Sequence, residues 1–304
     1  MKLIFKLLPF LFILGLMPKA FALNIVAANY PAFDLIFHVA KDKADISVLL
    51  KPGADAHSFE PTPKDIASIE KSDLFFYVGG ENDAWIRRLL KSMNNNINTL
   101  SMLEHINPLR ESLAFEHTLE DHHHHDHNEA FDEHVWTAPK NNIKLLAVIA
   151  QKLSMLDPDN SEFYHKNAQE YAERFAKLDR KFQELISSSQ RKTIIVADRF
   201  PFLYFASDYG LDYYAAFSGC AEDTEASAKT ISFLIEKIRE LKINYVIKQE
   251  FSTLKLADTI ASETGSGILT LNACHNISKE QYQNKVEMIE LLEKNLITLK
   301  KALN

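Results

Sequence analysis

DPDNSEFYHKNAQEYAERFAKLDRKFQELISSS, residues 157–189, decides how the rest of the chain is read. Its apolar residues Ala168, Tyr171, Phe175, Leu178, Phe182 and Leu185 are spaced 3, 4, 3, 4 and 3 apart, which places them on one stripe of a helix. Asp157 is a capping residue type. Pro158 suits a first turn, where its missing N–H would have no intrahelical partner. A helix of about 30 residues rises roughly 45 Å, enough to cross a domain. We read it as a stiff strut between two lobes.

Outward from that helix, short apolar runs alternate with helical patterns. Before it, strands are expected at 23–30, 46–50, 74–80 and 97–102, with helices around 31–42, 64–71 and 83–93 and another from about 140. After it, strands are expected at 193–200, 211–217, 245–250 and 268–273, separated by helices near 201–209, 226–241 and 253–264 and closed by one long amphipathic helix over about 278–302. This is βα grammar stated twice. The expected fold class is α/β: two βα lobes with mostly parallel sheets joined by a long rigid helix, with a ligand cleft between the lobes. The divisions are a signal peptide at 1–22, an N-terminal lobe at 23–156, the linking helix at 157–189 and a C-terminal lobe at 190–304.

The 304 residues, 46% hydrophobic and 25% charged, have the balance of a globular chain with room for two domains. MKLIFKLLPFLFILGLMPKAFA, residues 1–22, reads as a cleaved secretory signal: two early lysines, an apolar run too short to span a bilayer, then Ala20-Phe21-Ala22. No cysteine lies near the cut, so the expectation is a soluble periplasmic protein without a lipid anchor. Losing Lys2, Lys6 and Lys19 and no acid takes the formal net charge from −7 to −10. A chain this acidic is not expected to bind nucleic acid. Cys220 and Cys274 enter an oxidising compartment, where one disulfide, two buried thiols or a metal-binding thiolate are the open readings.

Histidines carry the chemistry. EHTLEDHHHHDHNEAFDEH, residues 116–134, has almost no apolar content and is expected to be a loop. His117, His122, His123, His124, His125 and His127 lie within it as accessory metal binders. His57, in GADAHSFEPTPKD (53–65), follows a strand directly and is stiffened by Pro61 and Pro63, which suits a ligand; a surface or helix-capping histidine is the other reading. His134, in DEHVWTAPKN (132–141), stands at the boundary between the loop and the packed chain. His38, His105 and His165 are read as histidines without partners.

GADAHSFEPTP resembles the G-x-D-P-H-x-[FY]-E-P-T-P stretch, and DEHVWTAPKN the D-P-H-x-W-x-x-P-x-N stretch, of the metal-binding substrate-binding proteins of zinc and manganese ABC importers. YFASDYGL (204–211) is similar to the family's Y-F-x-x-x-Y-G-[LVI], and the His-rich loop looks like the zinc-uptake, ZnuA-like branch. The resemblance covers the mature chain. It implies that His57 and His134 are metal ligands from the N-terminal lobe. Where the family carries a third ligand, alignment on Tyr204-Phe205 places Arg199, a permanent cation that cannot ligate. Asp198 is the neighbouring candidate, against the reading of a strand-end residue paired with Arg199. In LNACHNIS (271–278), His275 is a candidate substitute for the family's late acidic ligand, against a capping or exposed role. Beside it Cys274 is expected to pair with Cys220, and Glu250 is a candidate to support the ligands from behind, against a merely solvated carboxylate.

The resemblance implies a monomeric binding protein that captures Zn(II) as cargo and delivers it to an ABC permease. Manganese would prefer more oxygen ligands. A metal-storage protein and a secreted zinc hydrolase are the other classes, and the hydrolase lacks H-E-x-x-H or a comparable helical pair.

Overall fold

The computed structural model describes residues 22–54, 59–93, 97–111, 131–219, 225–253 and 255–304. His57, the histidines of 117–127, Cys220 and residues 1–21 of the expected signal lie outside them.

Each lobe is a four-stranded parallel sheet. The first contains β1 (Leu23–Ala27), α1 (Tyr30–Ala40), β2 (Ala44–Val48), α2 (Pro63–Glu70), β3 (Leu74–Tyr77), α3 (Ala84–Ser92) and β4 (Thr99–Ser101), with strand order β2-β1-β3-β4. Two helices follow, α4 (Pro139–Leu156) and α5 (Ser161–Ser188). The second sheet is built from β5 (Thr193–Phe200), α6 (Leu203–Tyr209), β6 (Asp212–Ser218), α7 (Ala228–Leu241), β7 (Tyr245–Gln249), α8 (Leu256–Thr264) and β8 (Gly267–Leu271), with order β6-β5-β7-β8. The chain closes with α9 (Lys279–Gln283) and α10 (Met288–Ala302). Both sheets repeat one winding, in which the first strand of the lobe sits inside and the second at the edge. The inner strand β3 is buried at all four positions, as a strand covered on both faces must be, whereas the edge strand β2 alternates. Among the described residues no helix is long and apolar enough to cross a membrane.

The strut exists, and it is built into the core. α5 buries Tyr164, Ala168, Tyr171, Phe175, Leu178, Phe182 and Ile186. The stripe drifts by one position at its end, taking Ile186 instead of Leu185, because 3.6 residues per turn do not match a 3.5-residue spacing. The helix lies along α4 and touches α1, α6 and α10. One apolar cluster runs from β1 through α5 to α10. Each fully buried Phe on it contributes about 1.5–3 kcal/mol.

Two local readings change. Asn29 and Tyr30 belong to the start of α1, since the Asn29 side chain accepts the Ala32 N–H and Pro31 occupies the first turn. The expected single terminal helix breaks into α9 and α10 around Lys285, whose φ is +52°. The break has a tertiary cause. The Tyr30 hydroxyl donates to the Val286 carbonyl at 2.7 Å and the Met288 N–H donates to Asp34 Oδ1 at 2.9 Å, so backbone groups that would continue a helix bond to α1 instead.

Asp34 is a node of this seam. It is buried and also accepts the Tyr171 hydroxyl at 2.7 Å. His38, contrary to expectation, has partners: its ring stacks on Tyr171 with centroids 3.8 Å apart, and Nε2 lies 3.5 Å from Glu287. Burial pushes the His38 pKa below its ordinary value, against the pull of Asp34 and Glu287.

Asp34→Ala takes the acceptor from a buried hydroxyl and a buried N–H, and is expected to lower stability by about 3 kcal/mol in urea unfolding. Because the folded chain protonates His38 less readily than the unfolded chain does, His38 contributes stability that is present above its ordinary pKa of 6.5 and lost as pH falls through the depressed folded value. His38→Phe keeps the stacking on Tyr171 and should show a smaller loss of melting temperature on acidification below pH 6.5.

Candidate functional site

The carboxyl ends of parallel strands are where such folds leave room for ligands, because the loops there diverge. Here the ends of β1, β2 and β3 meet the segment before α4 and the segment after β8. Between them is a small cavity of about 60 Å³ that opens to solvent, walled by Asn29, Asp83, Glu133, His134, Trp136 and His275 among others. His134 comes from the N-terminal lobe and His275 from the C-terminal lobe. Their rings meet edge to face with centroids 4.6 Å apart, and each lies 5.4 Å from the Trp136 ring.

His134 is held before any ligand arrives. It is 1% exposed, its backbone N–H donates to Asp132 Oδ1 at 2.8 Å, and its Nδ1 lies 3.2 Å from the same oxygen. A carboxylate acceptor places the proton on Nδ1 and leaves Nε2 with its lone pair. Burial alone would lower the His134 pKa, but the charge and hydrogen bond of Asp132, with the charges of Glu133 and Glu111, outweigh it and hold the pKa above the ordinary value. From the C-terminal lobe, the end of β6 closes on this pair. A Cβ on Gly219 would stand 2.9 Å from Asp132 Oδ2 and from the His134 ring, so only glycine fits.

The His275 segment is stitched to the other lobe. The Trp136 indole N–H donates to the Ala273 carbonyl at 2.7 Å. Asn276 Nδ2 donates to the carbonyls of Lys51 and Ala54 at 2.8 and 2.7 Å, and the Gly53 N–H donates to the Ile277 carbonyl at 2.8 Å. These contacts fasten the loop after β8 to the turn that immediately precedes residues 55–58, which include His57. Within the C-terminal lobe, Glu250 takes the N–H groups of Ala273 and Cys274 at 2.6 and 2.7 Å. Burial pushes the Glu250 carboxyl up to about 7. Its two donors flank a left-handed turn, since Cys274 has φ +60°, a conformation costly for a side chain that is not glycine. Glu250 holds that turn, and the turn aims the next residue, His275.

Cys274 does not form the expected disulfide. It is a free thiol, fully buried in the central apolar cluster with Sγ 3.8 Å from the Asn272 carbonyl. Burial pushes it well above the ordinary thiol value, so it is a poor thiolate. Asp198 sits at a bulge between Val196 and Arg199 on β5, buried, with its carboxylate accepting the N–H groups of Arg199 at 2.9 Å and Gln249 at 3.3 Å. It ties β5 to β7 and is not part of the cavity wall described above. The Arg199 carbonyl accepts Gln249 Nε2 at 2.9 Å. Among the described residues no three His, Cys, Asp or Glu side chains are gathered closely enough to hold a metal ion.

Sequence reasoning passed over three contributors. Asp132 orients His134. Glu133 accepts the Asn82 N–H at 2.8 Å and lies where a Cβ on Gly80 would be, and its pKa is pushed up to about 7, chiefly by burial. Asp83 accepts the Gly79 N–H at 2.8 Å, and burial raises it to about 6. The two acids directly before His134 and the Gly79-Gly80 pair after β3 were the available signals.

A family model described as "Zinc-uptake complex component A periplasmic" matches residues 25–302. The zinc-binding lipoprotein AdcA of Streptococcus pneumoniae is 33% identical over 285 residues, covering 92% of this chain and 56% of that protein. The chain therefore spans about half the length of that relative. The high-affinity zinc uptake system protein ZnuA of Bacillus subtilis is 32% identical over 285 residues, covering 94% of this chain and 89% of the relative. The crystal structure of the Zn(II)-bound ZnuA-like domain of S. pneumoniae AdcA superposes with a TM-score of 0.77 at 31% identity, covering 93% of this chain and 99% of that one.

Gly219→Ala forces a methyl group against two buried side chains that have no room to give, and is expected to cost about 1–3 kcal/mol of stability, read as a lower melting temperature.

Proposed function

Because this chain belongs to the family of the periplasmic component A of zinc-uptake complexes, we propose that it captures Zn(II) between its lobes and delivers it to the permease of an ABC importer. The observation that carries the reading is the buried His134, with Nδ1 against Asp132 and its ring beside His275 in the open cavity. Two imidazoles from two lobes, one preset by a carboxylate, suit a borderline-soft ion such as zinc better than manganese. The names of its relatives support the same ion.

In this reading His134, through Nε2, and His275 bind the metal, and His57 is the third ligand, carried just beyond the turn to which the His275 segment is fastened. His275 replaces the acidic ligand usual in the family. Glu250 supports it through the Cys274 turn. Asp198, with both carboxylate oxygens bonded to backbone N–H groups, is assigned to tying β5 to β7. His117, His122, His123, His124, His125 and His127 form a low-affinity collector, in the stretch of sequence between Glu111 and Phe131. The protein works as an exported monomer, as a binding protein and not an enzyme.

Calorimetric titration with Zn(II) tests the assignment. The parent protein should show one tight site. His57→Ala, His134→Ala and His275→Ala should each weaken it by more than about 100-fold, beyond the loss expected for an outer-sphere partner. Asp198→Asn should bind as the parent does. Deleting residues 117–127 should leave the tight site in place. An unchanged site in His275→Ala would remove that ligand, and loss of all tight binding with the loop would make the loop the main site.

A further inference from the structure

The YFASDYGL motif supplies no ligand, yet it is where the C-terminal lobe grips the segment that carries His134. One face of α6 is fixed on the strut: Phe205 and Tyr209 pack on Phe182 at centroid distances of 4.8 and 5.6 Å, and the Tyr209 hydroxyl donates to Asp179 Oδ1 at 2.7 Å. From α6 Tyr204, 4% exposed, reaches into the other lobe. Its hydroxyl donates to the Asp132 carbonyl at 2.8 Å and accepts the Leu109 N–H at 3.2 Å.

These partners belong to the two stems that lead into and out of residues 112–130. The stems are already joined by the Asp132 N–H to the Leu109 carbonyl at 2.8 Å and by an antiparallel bridge between Arg110 and Phe131. One hydroxyl therefore binds both stems to the C-terminal lobe. The residue whose carbonyl it holds is also the one whose carboxylate holds His134 by its N–H and by Nδ1. Main chain and side chain of Asp132 thus link Tyr204 to the imidazole in one short path.

We propose that Tyr204 is a positioning residue for His134: its hydroxyl fixes the main chain of Asp132, so that the Asp132 carboxylate keeps the proton on Nδ1 and Nε2 is presented to the metal. This rests on reading His134 as a Zn(II) ligand. Coordinating groups must be held within about 0.5 Å to work, and an anchor from a helix packed on the strut meets that requirement. Phenylalanine at 204 fills the same space and removes the hydroxyl.

The test compares Tyr204→Phe with Tyr209→Phe, which removes a hydroxyl from the same helix at a point away from the site. Calorimetric Zn(II) titration of the full chain should show affinity lower by about 10–100-fold in Tyr204→Phe, the range for loss of an outer partner, with one site retained, and unchanged affinity in Tyr209→Phe. In the metal-free protein, ¹⁵N spectra of the His134 ring should move from the Nδ1–H tautomer towards a mixture in Tyr204→Phe alone. If Tyr204 acts through Asp132, its substitution should cost less in an Asp132→Asn background than in the parent. Parent-like affinity and tautomer in Tyr204→Phe, equal losses in both tyrosine variants, or loss of cooperative melting in Tyr204→Phe would overturn the positioning role. Should the parent itself lack a tight Zn(II) site, the functional reading falls, and the metal-free tautomer comparison still decides the role of Tyr204.

Discussion

The hydrogen bond from the Trp136 indole to the Ala273 carbonyl is the constraint on which the cleft depends. Trp136 is two residues from His134, Ala273 two residues from His275, and the indole stands against both imidazoles. A buried indole N–H needs an acceptor. By taking it from the opposite lobe, Trp136 makes the relative placement of the two histidines a consequence of satisfying one polar group. The Asn276 and Gly53 bonds repeat the device on the other side of His275. The lobes are therefore fastened beside the site by backbone carbonyls and N–H groups, whose positions the strands and turns already fix.

Carboxylates do most of the remaining work, and they do it buried. Asp132 orients a histidine, Glu250 holds a left-handed turn, Asp34 joins α1, α5 and the start of α10, and Glu133 fixes the turn after β3. Burying a carboxylate is costly unless donors meet it, and the donors here are mainly backbone N–H groups. The raised pKa values of Glu133 and Glu250 record how little of the cost is offset. A cation in the cleft would meet an environment already short of positive charge.

The repeated βα pattern was legible because strand and helix periodicities are local properties, and so was the strut, whose stripe is written in one continuous segment. Readings failed where a distant group changed a local outcome. The terminal helix breaks because Tyr30 and Asp34 take up backbone groups at Val286 and Met288. His38 gained partners because α5 presents Tyr171 to it. Cys274 was read from its compartment, while its burial in the central cluster was decided by packing.

At the site, the sequence by itself determined which residue types were available: a histidine after two acids and before Trp136, a histidine after β8, and an arginine where relatives carry a ligand. It determined these because motif spacing and side-chain chemistry need no neighbours to be read, and the arginine's place among the ligands was an expectation from the resemblance alone. Only the tertiary structure decided that Asp132 faces Nδ1, that Glu250 acts through the backbone of Cys274, and that Asp198 turns to N–H groups of its own sheet. Each of those depends on the meeting of segments far apart in the chain, and no local pattern encodes where such segments meet.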